Sequence, residues 1–305
     1  MEKKSIAASI IIGVLITAFF TWTAIGLLLG QQLNENNVDE ESDVDMFISG
    51  STTCFPIIVR CAAEFEDENE EYSIAVSGGG SSVGISNVIN GISDIGMASR
   101  PLKQSEKDLE PKLRQKPIAN DGIALIMSAG NTHFSGGLIP QWYLEDVLKV
   151  WNGTYSVWSD VPGCTGSDPI ILIGRDSASG TRASFEEITG LEDDTAYQSI
   201  SKQELNSNGA VHDAVAADED AIGYVGLGYV DSEVDTIDLY NDAGASGPGF
   251  YEATAENVKS GDYLISRKLY LIYKDPLDSD FMDFIEWIQG SKGQTIVEDE
   301  GFITL

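Results

Sequence analysis

Two rhythms of apolar and polar positions alternate along the chain. Asp45 to Ser49, Tyr72 to Ser77 and Asp94 to Ala98 are short strand-like runs, and between them Phe55 to Phe65 and Val83 to Asn90 carry helical spacing. Side chains change face at every residue of a strand but return about every 3.6 residues in a helix, so the order predicts strand, helix, strand, helix, strand. Such alternation implies a parallel sheet with crossover helices, an α/β fold. Beyond it the pattern predicts a polar helix over Ser105 to Leu113 and a buried strand over Asp121 to Ser128. A helix over Trp142 to Val150, a strand over Pro169 to Ile173 and a long helix after Thr181 follow. Ala221 to Val225 and Leu269 to Tyr273 read as strands, and Phe281 to Gln289 and Gly293 to Glu298 as closing helices.

One stretch fits neither rhythm. After Lys3 and Lys4, residues Ile6 to Gly30 are uncharged and mostly apolar. About 20 such residues span the roughly 30 Å of a bilayer's hydrocarbon, so residues 1–30 read as a membrane anchor, with a cleaved signal peptide as the alternative. The two lysines hold its start inside and place the rest outside the cytoplasm. Residues 31–43 are polar and acidic and read as a tether.

Composition narrows the function. The chain has 305 residues with 42% hydrophobic content, enough for one large or two medium cores. Its 49 acidic residues against 18 basic ones give a net charge of −31. That field repels polyanions, which excludes a nucleic-acid partner. His133 and His212 are the two histidines; neither has a second at ligand spacing or stands near a nucleophile elbow, so no metal site and no Ser-His-Asp hydrolase is expected. No phosphate-loop pattern is present, so the chain is not expected to hydrolyse ATP, and no motif calls for a cofactor. Cys54, Cys61 and Cys164 leave open a Cys54–Cys61 disulfide or buried free thiols.

Three turns carry the candidate chemistry. Gly174-Arg175-Asp176-Ser177-Ala178-Ser179-Gly180-Thr181-Arg182 joins a strand to a helix, as do Ser49-Gly50-Ser51-Thr52-Thr53 and Ser77-Gly78-Gly79-Gly80-Ser81-Ser82. The first turn of a helix leaves backbone N–H groups unpaired, which makes it an anion seat. Serine and threonine add uncharged donors, glycine allows close approach, and Arg175 adds charge. Against this stands the ordinary use of serine and threonine as helix caps. Three such turns in one chain favour a converging oxyanion site. In so acidic a chain it must work through short-range donors in a desolvated cleft.

With these residues in view, the chain resembles the substrate-binding proteins of phosphate-specific ABC transporters, the PstS family, particularly its shorter members. The resemblance runs from about Asp45 to Leu305. It is carried by Gly50 to Thr53, Gly78 to Ile85, Asp94 to Arg100, Asp121 to Ala124, Arg175 to Thr181, Ser207 to Val211, Ala221 to Val225 and the ending Gly293 through Phe302. It implies a two-lobed, hinged fold of the periplasmic-binding-protein type (type II). Lobe 1 would hold residues 44–120 and 226–305 and lobe 2 residues 121–225, with Asp121 to Ser128 and Ala221 to Val225 crossing between them. Ser51, Thr52, Thr53 and Ser81 would donate to phosphate from lobe 1, and Arg175, Ser179, Gly180 and Thr181 from lobe 2. Longer members place a carboxylate after the Asp94 strand to accept the proton of hydrogen phosphate; here Ser99 and Arg100 stand there, and Asp121 is the candidate acceptor. The implied function is capture of inorganic phosphate for a permease with a cytoplasmic ATPase, without catalysis. The alternatives are a receptor for sulfate, molybdate or tungstate, and a sensor or surface protein.

Overall fold

The computed structural model describes residues 44–134 and 140–305. The expected anchor and tether lie outside the described residues. Among the described residues no helix is long and apolar enough to cross a membrane.

The chain opens with β1 (Val44–Gly50), α1 (Phe55–Glu68), β2 (Tyr72–Ser77), α2 (Ser81–Ile89) and β3 (Ile95–Ala98), the alternation its pattern predicts. Pro56 sits in the first turn of α1, where its missing N–H costs nothing. Ile57, Ile58, Cys61, Ala62 and Phe65 then form one buried face. α3 (Gln104–Leu109) is shorter than expected, because the chain is already extended at β4 (Leu113–Ser128). β5 (Gln141–Trp142), α4 (Leu144–Trp151), β6 (Ile171–Arg175), α5 (Gly180–Thr189), α6 (Thr195–Ser199), β7 (Gln203–Leu205), α7 (Asn208–Ala216) and β8 (Ala221–Gly226) follow. The remainder holds β9 (Val234–Thr236), β10 (Asp238–Asn241), β11 (Gly249–Tyr251), α8 (Ala255–Ser260), β12 (Ser266–Lys274), α9 (Ser279–Gln289) and α10 (Ser291–Asp299).

One large sheet runs β2-β1-β3-β12-β4-β8-β6-β7, with β9 added beside β4. Its two wings are parallel, as crossover helices require, whereas β12 runs against both β3 and β4. β4 is the strand both halves share. Its first part pairs β12, from Leu113 against Lys274 to Gly122 against Ser266, and its second pairs β8, from Ile123 against Gly226 to Met127 against Ile222. The expected strand Asp121 to Ser128 is therefore only the second part of a longer one.

Two large apolar cores flank this strand, and a smaller cluster of Ile85, Val88, Ala98, Leu102, Leu113 and Ile272 packs in the same half as the first. Met46, Ile48, Ile57, Ile95, Leu269 and Phe284 belong to the first, and Trp142, Trp151, Ile173, Phe185, Val211 and Tyr224 to the second. The expected return to the first half directly after Gly226 is corrected here. Val234, Ile237, Leu239, Val258, Tyr263 and Ile265 pack in the second core, and β10 pairs β5, so the return comes with β12. The physical reason is strand pairing: β9 lies against the second part of β4 and β10 against β5, which holds these apolar side chains in the second core.

Candidate functional site

The carboxyl ends of five strands meet where the two cores face each other. β1 ends at Gly50 before Ser51 to Thr53, β2 at Ser77 before α2, β3 at Ala98 before Ser99, β6 at Arg175 before α5, and β7 at Leu205 before α7. Ligands of open α/β sheets bind at such ends, because helices begin there with unpaired N–H groups.

Glycine sets how closely the two sides approach. Gly80 has φ 95°, and a Cβ on it would stand 2.7 Å from Ala178 O. With none, Ser82 N–H donates to Ala178 O across the cleft at 3.1 Å. A Cβ on Gly180 would collide with Ser81 Oγ and lie 2.6 Å from Ser99 Oγ. The first residue of α5 is thereby pressed against the start of α2.

The hydroxyls converge in the same place. Thr53 Oγ1 and Thr181 Oγ1 lie 3.0 Å apart across the cleft. Ser81 Oγ lies 3.2 Å from Ser99 Oγ and accepts from Ser99 N–H. Ser184 Oγ donates to Ser99 O. Ser51, Thr53, Ser81, Ser99, Ser179 and Thr181 are all buried. Ser51 Oγ accepts from Thr53 N–H and shapes its turn. Ser179 Oγ accepts from Arg182 N–H, an N-cap that leaves its own O–H free to donate.

Arg175 is 1% exposed, and among the described residues no carboxylate forms an ion pair with it. It donates to neutral oxygens only: Asn208 Oδ1 at 2.7 Å, Thr52 Oγ1 at 3.1 Å, Asn206 O at 3.2 Å and Leu205 O at 3.3 Å. Burial pulls its guanidinium down to about 10, still charged at neutral pH. A buried cation held by neutral acceptors is a cation short of an anion.

Two expected residues take other roles. Arg100 is not brought into the cluster. Its guanidinium forms a partly buried ion pair with Glu106 at 2.7 Å and reaches Ser82 Oγ, so its charge is already answered. Asp121 is near the seat but not free: Oδ2 accepts from Arg267 Nε at 3.0 Å and Nη2 at 2.8 Å, and Oδ1 from Leu227 N–H at 3.0 Å. Burial pushes its carboxyl up, opposed by Arg267 and by the N–H groups of Leu227 and Gly122.

Three contributors escaped the sequence reading. Asn208 bridges the sides, accepting from Arg175 and donating to Thr53 Oγ1 at 2.8 Å. Tyr229 OH donates to Thr52 O at 2.6 Å. Arg267 Nη2 reaches Thr53 Oγ1 at 3.2 Å and Thr181 Oγ1 at 3.1 Å. Asn208 follows Ser207 in a strand-turn-helix unit of the same kind as the other three, a signal that was present. A single arginine inside a strand carries no such signal.

A family model described as a PBP superfamily domain matches residues 37–292. A substrate-binding protein of Clostridium perfringens, solved with bound phosphate, is 33% identical, with 86% of this chain and 99% of that one covered at a TM-score of 0.76. An ABC-type phosphate transport receptor from Vibrio cholerae is 26% identical, with 85% and 100% covered at a TM-score of 0.66. The phosphate-binding protein PstS of Staphylococcus saprophyticus is 27% identical over 300 residues, which cover 94% of this chain and 89% of that protein.

Proposed function

The chain belongs to the PBP superfamily, as a PstS-type phosphate-binding protein, and on that premise we propose that it captures inorganic phosphate in the cleft between its two cores and passes it to an ABC permease. The two cores are the lobes, with residues 44–120 and 266–305 on one side and 121–265 on the other. The observation that carries the reading is Arg175, buried at the end of β6 and paired, among the described residues, with neutral oxygens alone. Phosphate supplies the missing charge. Thr52, Thr53 and Ser81 donate from the first lobe, and Ser179, Gly180 and Thr181 from the start of α5 in the second. Ser99 stands behind Ser81 and accepts the anion's proton through its hydroxyl. Asp121 holds Arg267 and the N–H of Leu227 in place.

The N-terminal apolar segment holds the protein at the outer face of the cytoplasmic membrane, and the permease with its ATPase does the work of transport. The protein acts as a carrier and not as a catalyst.

Calorimetric titration tests this. Protein freed of ligand by partial unfolding and refolding is expected to bind one phosphate that excess sulfate or molybdate does not displace. In Arg175→Gln the affinity should fall by at least about 30-fold, or about 2 kcal/mol, the lower bound for losing one side of a buried charge-assisted contact. Unchanged phosphate affinity in that variant would remove the site from this cleft.

A further inference from the structure

We propose that Arg267 is a second cation of the anion seat, carried on the hinge, which reads the second negative charge of the ligand as the lobes close; this rests on the reading of the cleft as an oxyanion site. Arg267 lies on β12 opposite Asp121 on β4, at the point where the shared strand leaves one core for the other. Its side chain is 4% exposed, and the carboxylate it pairs with is fully buried. Asp121 takes Nε and Nη2 side by side, which fixes the guanidinium plane. The carboxylate is itself held by Leu227 N–H, at the end of β8 where the chain crosses again.

The fixed plane aims the rest of the group at the seat. Nη2 has two hydrogens. One goes to Asp121, and the threonine oxygens of the two sides, Thr53 Oγ1 and Thr181 Oγ1, share the other. Nη1 is buried and has no acceptor among the described residues. A buried guanidinium nitrogen without an acceptor is costly, and the oxygen of an anion bound against Thr53 and Thr181 satisfies it.

Charge bookkeeping points to the same ligand class. Arg175 and Arg267 face one carboxylate, which leaves one positive charge. The helix starts at the cleft add partial positive charge to that, so the seat carries more than one positive charge. A tetrahedral dianion answers more of it than a monoanion does. Arginine stays charged throughout the physiological range. The titratable groups beside Arg267 are the Asp121 carboxyl, which burial pushes up while Arg267 opposes it, and the Cys54 thiol, which burial pushes up to about 12, so the wild-type slope is read against that of Arg267→Gln.

The test is titration of the ligand-free full-length protein with inorganic phosphate at several pH values spanning its second ionisation. If the dianion is the form bound, wild-type affinity rises close to tenfold per pH unit below that ionisation and levels off above it. Arg267→Gln should bind about 10- to 150-fold more weakly above it, the equivalent of one charge-assisted hydrogen bond, and should flatten the rise below it. Arg267→Lys keeps the charge without the fork and should retain the pH rise with at least tenfold weaker binding. Arg267→Gln with the wild-type slope and affinity overturns the proposal. If that variant does not fold, as judged by circular dichroism, Arg267→Lys decides, and affinity within twofold of wild type overturns it. Failure of the parent reading looks different: wild type itself then binds no phosphate at any pH.

Discussion

His212 has a carboxylate at each ring nitrogen, Asp213 Oδ1 and Asp231 Oδ1, both at 3.0 Å. Burial lowers its pKa, and the two carboxylates more than offset this, leaving it above the ordinary 6.5. A histidine whose folded pKa is raised contributes stability in full below the unfolded value and loses it as pH rises through the folded one. His212→Gln should therefore lower the urea midpoint about a unit below the ordinary imidazole value and leave it unchanged in mild alkali. The effect should stay below about 1 kcal/mol, because water screens the exposed partners. A loss equal at both pH values would mean that the ring acts through packing alone. The thiols are a second case. Cys54 and Cys61 are buried in the first core and unbridged, and burial pushes each up to about 12. A thiol reagent should reach them only after unfolding. That Arg175 and Thr53 stand at strand-to-helix turns was legible, because small and hydroxyl residues there separate an apolar run from a helical pattern. Arg267 was not, because its role depends on the residue opposite it in a strand pairing that sequence does not display.

The proposed site is built from helix and strand ends more than from their interiors. Gly180 is the first residue of α5, and the position lacks a side chain because the start of α2 lies against it. In Gly180→Ala the new methyl would collide with Ser81 Oγ. The elements should fold as before, and alanine favours the helix by up to about 1 kcal/mol over glycine. Closure alone should suffer: phosphate affinity should fall at least tenfold while the thermal midpoint of the ligand-free protein holds or rises. A midpoint that falls together with affinity would show that the tight approach supports the fold itself. At this scale the sequence was a good guide where alternation was regular. β2 spans Tyr72–Ser77 as expected, and α9 and α10 lie within two residues of their predicted bounds. It failed between β8 and β12. The strands there have three or four residues, too few to show a period, and α8 is only six residues long.

The whole molecule sets a paradox of charge: a chain of net charge −31 has to admit an anion. In the proposed site the contacts are short and buried, so they would hold the ligand once it has arrived and do little for an ion still in solution. At a distance the ligand meets the summed field, which is repulsive. Salt screens that field over about 10 Å at 0.1 M, while the buried contacts are screened much less. Association of phosphate should therefore speed up as an inert salt is added, the reverse of an electrostatically steered encounter, and dissociation should stay constant. Stopped-flow tryptophan fluorescence can follow both rates, since Trp151 packs on Phe185 of α5 and on Tyr224 of β8. The expected outcome is an association rate that increases several-fold from low salt to 0.1 M and above. A rate that falls with salt would mean that the cleft mouth has a positive potential of its own, strong enough to outweigh the surface around it. In that case the two buried arginines act at long range as well as on contact, and Arg175→Gln or Arg267→Gln would slow capture as well as speeding release.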